Sequence, residues 1–374
     1  MRCTYEYRHS LKECPREALE GLPYCPFHLP EGGKDFSGEN LSGEDLEEAY
    51  LSEANLTGAN LSEANLRYAD LSDSILDGAD LSWAILTGAD LSGASAKRAD
   101  FTRANLEEAD LSGASLIGAT LSLASLRGTN LTRADLRGTE LYGAELEGAN
   151  LLGADLRGAR LHGVSFKGAK NIEHARLDTK VIEEAEGDRL RKEDPQRAIE
   201  SYLKALSVYL ELKETFRSRA IYDRASAYTI GEWRVRGKVQ SIAHRAESPA
   251  ELEEFVPFTA RSGKRWLVAL EGKTRWLLNV IYRLTSSYGE SASRVLITTI
   301  GIVFVYAAIY WLAGALGSSS FSESLYFSLV TFTTVGYGDI VPKANYRLLA
   351  ASEAFIGAFL MAFFVVVISR KLIR

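Results

Sequence analysis

The chain has 374 residues, a formal net charge of −6 and a pI near 5.6. That length leaves room for two or three domains, and the acidic balance argues against a nucleic-acid binder, which normally presents a basic face. The charge is unevenly spread. Residues 36–166 hold 21 Asp/Glu against 9 Lys/Arg, whereas the last hundred are apolar runs fringed with Arg and Lys, the division expected of an aqueous part joined to a membrane part. The opening MRCTYEYRHSLKEC has no apolar run, so no secretory signal is expected and the bulk of the chain is read as cytosolic. There is no GxSxG, HExxH or Walker loop, and only five His are present, so an enzyme is not expected.

Residues 1–34 hold every cysteine of the chain, Cys3, Cys14 and Cys25, in the pattern C-x10-C-x10-C-x2-H that ends at His28. Three cysteines cannot pair completely, and a cytosolic setting disfavours disulfides. Three thiolates and one imidazole make a closed tetrahedral zinc set, with the CxxH pair as the short chelate. So short a segment with little core also needs such a staple. His9 is the alternative fourth ligand, and three unligated cysteines the plainer reading.

From 36 to 166 an apolar residue falls at every fifth position, as in ANLTGANLSEANLRYADL, and of 27 such positions only Ala96 is neither Leu nor Phe. Two residues before each centre stands mostly Ala, and one before it mostly Asp or Asn. A five-residue step turns an α-helix by about 140°, so these leucines cannot share a helical face. Odd steps alternate faces in a strand, which excludes that too. The period requires a solenoid, in which four five-residue sides close one coil around the Leu and Ala positions. This pattern resembles the pentapeptide-repeat family, and the resemblance implies a right-handed quadrilateral β-helix over residues 35–171. At about 4.8 Å per coil, nearly seven coils give a rod of roughly 32 Å. Its role reads as spacer or docking platform; DNA mimicry, which some acidic members of the family practise, is the alternative.

Residues 172–262 read as a helical connector. Asp194-Pro195 has the form of an N-cap followed by proline at the first helical position. Ala198, Ile199, Tyr202, Leu203, Ala205, Leu206, Tyr209 and Leu210 then recur at three- and four-residue steps, and 216–233 carries a second such face. A helical hairpin is expected, loosely similar in its A-x3-Y-x2-A spacing to tetratricopeptide repeats. Residues 263–290 mix Lys264, Arg265, Lys273, Arg275 and Arg283 with Trp266, Leu267, Leu270, Trp276, Leu277 and Ile281. That is the composition of an amphipathic helix at the inner membrane interface.

Two apolar stretches follow, 295–316 and 348–369, each 22 residues and long enough to cross about 30 Å of hydrocarbon. Cations precede the first and follow the second, at Arg370, Lys371 and Arg374, which places both termini in the cytoplasm. Within 291–374 the expected parts are an outer helix over 294–316, a pore helix over 321–333 opened by a Ser320/Glu323 capping box, a filter at 334–339 and an inner helix over 346–370. The filter reads Thr334-Val335-Gly336-Tyr337-Gly338-Asp339. Non-helical backbone at membrane depth persists only where it lines a water-filled path. Glycines at 336 and 338 permit the dihedrals that turn successive carbonyls the same way. The oxygens of 334–337 and the Thr334 hydroxyl then replace the hydration shell of a potassium ion.

TTVGYGD between two hydrophobic spans resembles two-transmembrane potassium channels, which are tetramers because one chain supplies a quarter of the filter. By this resemblance Gly357 takes the place of the hinge glycine of the inner helix. Glu353, one turn earlier, resembles the acid or amide that some members place behind the filter. Thr333, Met361, Val365 and Ser369 then line the pore, cavity and inner mouth. Val330 stands where some members have Glu, so an inactivation mechanism relying on that acid is not expected. No Arg-rich helix precedes the pore and the sequence ends five residues after the second span, so neither a voltage sensor nor the family's C-terminal ligand-binding rings are expected. The whole reads as a potassium-selective, passively conducting homotetramer in the cell membrane, with K⁺ as permeant ion and a structural Zn²⁺. Its repeat segment is expected to meet an unidentified cytosolic ligand or protein partner. A membrane-anchored scaffold with a decayed pore and a poorly selective cation channel are the rivals.

Overall fold

Within each pentapeptide the chain turns back on itself: the N–H of Ala54 donates to the carbonyl of Leu51 at 3.1 Å, and the same bond recurs from coil to coil. The residue two after each central Leu has a left-handed φ at all 27 corners from Gly38 to Gly168, and 16 of these are glycine. Glycine adopts that conformation without the Cβ penalty, so the corner, more than the interior, sets the chain's glycine content. The residue before each centre forms a single parallel bridge to the residue twenty further on, as Tyr50 with Asp70. The N–H of Leu51 donates to Asp70 O at 2.7 Å and the N–H of Asp70 to Ala49 O at 2.9 Å. Four pentapeptides therefore make one coil. The bridges are isolated, and no run of consecutive paired residues forms among the described residues. Central Leu and inner Ala from Leu46 to Leu156 are buried. Asp and Asn before the centre earn their frequency outside: Asp80 Oδ1 accepts the Ser82 N–H at 2.9 Å, and Asn65 Nδ2 donates to Asp45 Oδ1 in the neighbouring coil at 2.8 Å.

The structure, a computed structural model, describes residues 2–8, 14, 16, 17, 20, 24–30, 33–242, 292–317 and 320–372. The described residues divide into one unit ending at Val235 and another beginning at Arg236. The expected interfacial helix at 263–290, the end of the connector and His9 lie outside the described residues.

The final coil needs partners for N–H groups that would otherwise donate to a following coil. Three carboxylates supply them. Gly158 N–H donates to Asp178 Oδ2 at 2.6 Å, Leu161 N–H to Glu183 Oε1 at 3.2 Å, and Phe166 N–H to Glu211 Oε1 at 3.1 Å. On the acceptor side Arg224 donates to Ala175 O at 3.0 Å, and Arg219 donates to Ala169 O. The last bridge joins Asp155 to Arg176, 21 positions apart, because a 3-10 turn at Ile172–His174 inserts one residue. The coil therefore runs past the boundary expected at 171.

Three helices and the segments beside them supply this cap: α1 (Ile182–Leu190), α2 (Pro195–Ser218) and α3 (Tyr222–Ile242). Asp194 caps α2 as its sequence predicts, accepting the Arg197 N–H at 3.0 Å with Pro195 in the first turn. The helices are pinned by Glu184, which is buried and bound in fork fashion by Arg234 Nε and Nη2, both at 2.6 Å. Tyr209 donates to the same carboxylate at 2.5 Å. A buried carboxylate so surrounded keeps the hydrogen bonds it would lose with water.

The second unit holds α4 (Ala292–Leu312), α5 (Phe321–Phe332), a 3-10 turn at Ala344–Tyr346 and α6 (Arg347–Leu372). α4 and α6 are long and apolar enough to cross a membrane, and α5 is too short. α4 stops four residues before the expected 316, since Gly314 and Gly317 take left-handed φ of 56° and 77°. The turns after α4 are closed by the segment that follows Asp339: Lys343 Nζ donates to Gly314 O at 2.7 Å and Lys343 N–H to Ala315 O at 2.9 Å. The expected capping box is absent. Ser320 makes no side-chain cap bond and its hydroxyl lies 2.6 Å from that of Ser322.

Removing one terminating carboxylate should open the last coil locally. Glu211→Ala should raise amide exchange at Phe166 by about ten- to a hundredfold, as loss of one buried partner requires, while amides near Leu61 stay unchanged. Burial pushes the Glu183 carboxyl above its ordinary range, against the pull of its backbone donors. The folded chain thus holds that proton more tightly than the unfolded one. Its contribution is complete below the unfolded pKa and lost as pH rises through the folded value. Glu183→Gln should therefore stabilise the unit against heat near pH 8, relative to wild type, and the difference should vanish near pH 4.

Candidate functional site

In the second unit α5 points its C-terminal end at the segment 333–339, where the helix dipole favours a cation. The segment begins as a continuation of the helix. Thr333 N–H donates to Leu329 O at 3.0 Å, Thr334 N–H to Thr331 O at 3.0 Å and Val335 N–H to Val330 O at 3.1 Å. It then leaves the helix through left-handed φ at Thr334, Gly336 and Gly338. Open space surrounds the Cα of both glycines, so their requirement is conformational and not steric. The far end is tied back to α5, because Tyr326 donates to Asp339 Oδ2 at 2.8 Å. Between these ties the segment is bare: Val335 is 52% and Tyr337 71% exposed in the single chain.

α6 meets α5 at two neighbouring turns. Glu353 is fully buried and accepts Tyr310 OH at 2.7 Å on one oxygen, while its other oxygen bonds the Ser328 hydroxyl. Its contacts are thus with the middle of α5 and with α4. One turn on, Gly357 faces the end of α5 so closely that a Cβ would stand 1.9 Å from Phe332 O and 2.8 Å from Phe332 C. The contact is with backbone, which has no cheap way to move aside. Met361, Val365 and Ser369 lie exposed on the following turns. Tyr310, Ser328 and Tyr326 were not among the residues expected from sequence. A serine inside an apolar helix was the available signal, without indication of its partner.

The first unit carries a separate cluster. Cys3, Cys14, Cys25 and His28 are buried, and their ligand atoms all lie within 4.8 Å of one another. Cys14 Sγ is 3.9 Å from Cys25 Sγ, and His28 Nδ1 is 3.3 Å from Cys25 Sγ and 3.9 Å from Cys3 Sγ. Bond lengths of about 2.3 Å to sulfur and 2.0 Å to nitrogen place tetrahedral ligand atoms roughly 3.5–3.8 Å apart, close to these three separations. The short pairing of Cys3 N–H with Arg16 O at 2.8 Å and of Cys14 N–H with Tyr5 O at 2.9 Å brings the distant cysteines together. His28 Nε2 lies 3.1 Å from Glu47 O, which assigns the proton to Nε2 and leaves the Nδ1 lone pair facing the sulfurs. Burial pushes the Cys14 thiol up to about 12 and holds the His28 imidazole below its ordinary value. A dication reverses the penalty on the thiolate. The Tyr5 ring stacks on His28 at 4.1 Å and donates to buried Glu48 at 2.9 Å, joining the cluster to the first coil.

Comparison with known proteins agrees with both units. Residues 295–374 match the ion channel family, and 35–67, 64–103, 104–141 and 139–170 match pentapeptide repeats in 8 copies. No curated protein matches the chain. Among solved structures, HetL, a pentapeptide repeat protein involved in heterocyst differentiation regulation in the cyanobacterium Nostoc sp. strain PCC 7120, is 34% identical over 38% of this chain and 73% of its own, with a TM-score of 0.28. Rfr23 of the cyanobacterium Cyanothece 51142 is 31% identical over 39% of this chain and 86% of its own, with a TM-score of 0.16. A pentapeptide repeat protein of the Arabidopsis thaliana thylakoid lumen is 27% identical over 37% and 74%, with a TM-score of 0.17. The chain belongs to the pentapeptide-repeat family, and its C-terminal segment is an ion-channel domain.

Gly357→Ala should force α6 away from α5. Overpacking of this kind costs about 1–3 kcal/mol, and the variant in detergent should melt several degrees below wild type, whereas Ala358→Gly should not reproduce the loss by the same route.

Proposed function

We propose that the second unit is a quarter of a potassium-selective pore, through which K⁺ moves passively down its electrochemical gradient. The observation that carries this reading is the segment Thr334 to Asp339 itself. TVGYGD starts where α5 ends, is tied to α5 at both ends, and leaves Val335 and Tyr337 exposed in the single chain. Its carbonyls at 334–337 are the ligands for dehydrated K⁺, and three further copies of the chain cover the bare sides. Thr333, Met361, Val365 and Ser369 line the path below, and Gly357 is the place where α6 bends. The chain is read as a multi-pass protein of the cell membrane with both termini in the cytoplasm.

In the same reading the repeat segment is a right-handed quadrilateral β-helix on the cytosolic side, and Cys3, Cys14, Cys25 and His28 hold one structural Zn²⁺. The closed, fully buried donor set supports a structural ion, since it leaves no position for substrate. The cytosolic assembly modulates the pore, with residues 264–283 as the lever.

Reconstituted protein should pass K⁺ in strong preference to Na⁺, and Gly336→Ala or Gly338→Ala should abolish conduction or selectivity. Retention of the wild-type K⁺ over Na⁺ preference by both variants would rule out the filter assignment. Elemental analysis should find about one zinc per chain, and Cys25→Ser should lower it while leaving ion selectivity unchanged. A zinc-free protein with an equally protease-resistant N-terminus refutes the metal. A chain shortened to begin near residue 262 should remain potassium-selective with altered open probability; equal opening under every condition that modulates the full chain would make the cytosolic part an anchor.

A further inference from the structure

We infer that Glu353 is a positioning residue for the filter, acting through Ser328 to hold α5 in register against α4 and α6. The inference rests on reading 334–339 as the filter. Glu353 is the one acidic or basic side chain between 348 and 369, and it is fully buried. Such a group in a membrane-spanning helix is costly unless it is paired and serves a purpose. Its partners come from the two other helices: Tyr310 of α4 donates to Oε2 at 2.7 Å, and the Ser328 hydroxyl of α5 bonds Oε1. Ser328 Oγ also lies 2.9 Å from Val303 O, so α5 is held to α4 through the same atom.

The second contact gives the first its meaning. Glu353 and Gly357 stand four residues apart on α6, and their partners Ser328 and Phe332 stand four apart on α5. The two helices thus touch at matching turns. The glycine contact sets how closely they approach but has no direction along the axis. The carboxyl contact is directional, and with little water to replace a lost partner it resists sliding or rotation of α5. Both ends of the filter hang from that helix, by Val335 N–H to Val330 O at 3.1 Å and Tyr326 OH to Asp339 at 2.8 Å. A shift of α5 is therefore a shift of the carbonyls at 334–337.

The test compares Glu353→Gln, Glu353→Leu, Ser328→Ala and the Glu353→Leu/Ser328→Ala double variant in reconstituted vesicles. K⁺ over Na⁺ and K⁺ over Rb⁺ flux ratios are the readout, and oligomer size in detergent is followed in parallel. Gln keeps one donor and one acceptor and should retain the wild-type ratios. Leu should lower them by about tenfold, the scale of one lost buried hydrogen-bond partner, with the oligomer intact. Ser328→Ala should do the same, and the double variant should be no worse than Leu alone, since both changes break one linkage. An intact Leu oligomer with wild-type ratios overturns the inference and leaves the filter reading standing. So does Gln failing as badly as Leu, or strict additivity in the double variant. If Leu does not assemble, Ser328→Ala with wild-type ratios overturns it equally. A wild type without K⁺ preference overturns both readings together.

Discussion

A backbone N–H or C=O taken away from water has to be given another partner. In the repeat segment the answer is repetition: each coil donates to the carbonyls of the next, so the Leu51–Asp70 bond is copied along the rod. Repetition cannot solve the ends. At the C-terminal end Asp178, Glu183 and Glu211 accept the leftover donors, and Arg219 and Arg224 cover carbonyls. At the other end Phe27 O accepts the Tyr50 N–H at 2.7 Å, and the residues holding Phe27 in place are those around the cysteine–histidine cluster. The channel domain uses the same constraint in reverse. Carbonyls at 334–337 are held by a helix but accept no hydrogen bond among the described residues, and in the proposed reading a permeant cation completes them.

How much of this was legible in the sequence depended on how often a physical role recurs. The inward apolar position recurs 27 times, 23 of them as Leu, so its period stood out from any background and excluded helix and strand by geometry alone. The left-handed corner recurs as often, but only 16 of its positions are glycine, and Glu, Arg, Asp, Leu, Tyr and Trp at the others hide it. A role filled once leaves no pattern. The carboxylates that end the rod reach across 20 to 45 residues of sequence, and nothing distinguishes Glu183 from the acids around it until the chain has folded.

The channel domain divides in the same way. The TVGYGD segment and the two apolar runs were visible because their chemistry is stated by adjacent residues. The end of α4 was misplaced, since apolar composition continues through 313–316 while the backbone turns at Gly314. Ser320 failed as a cap because its hydroxyl faces Ser322. Gly357 was noticed for the bending it permits, whereas its close approach to Phe332 O depends on a neighbour 25 residues away. The cysteine spacing suggested a metal set, but only the antiparallel bridge between Arg2 and Glu17 explains how Cys3 and Cys14 come to the same place.

The twenty-residue pairing of the coil also makes the rod an adjustable ruler. Deleting twenty consecutive residues from its middle removes one coil and shortens it by about 4.8 Å, with every remaining bridge, corner and end cap keeping its counterpart. Deleting five keeps the interior leucines in place as well, but swings everything downstream by a quarter turn about the rod axis. Duplication and loss of DNA segments of these two lengths would thus tune reach and azimuth separately. Such changes vary how far, and in which direction, the N-terminal end is presented relative to α1–α3.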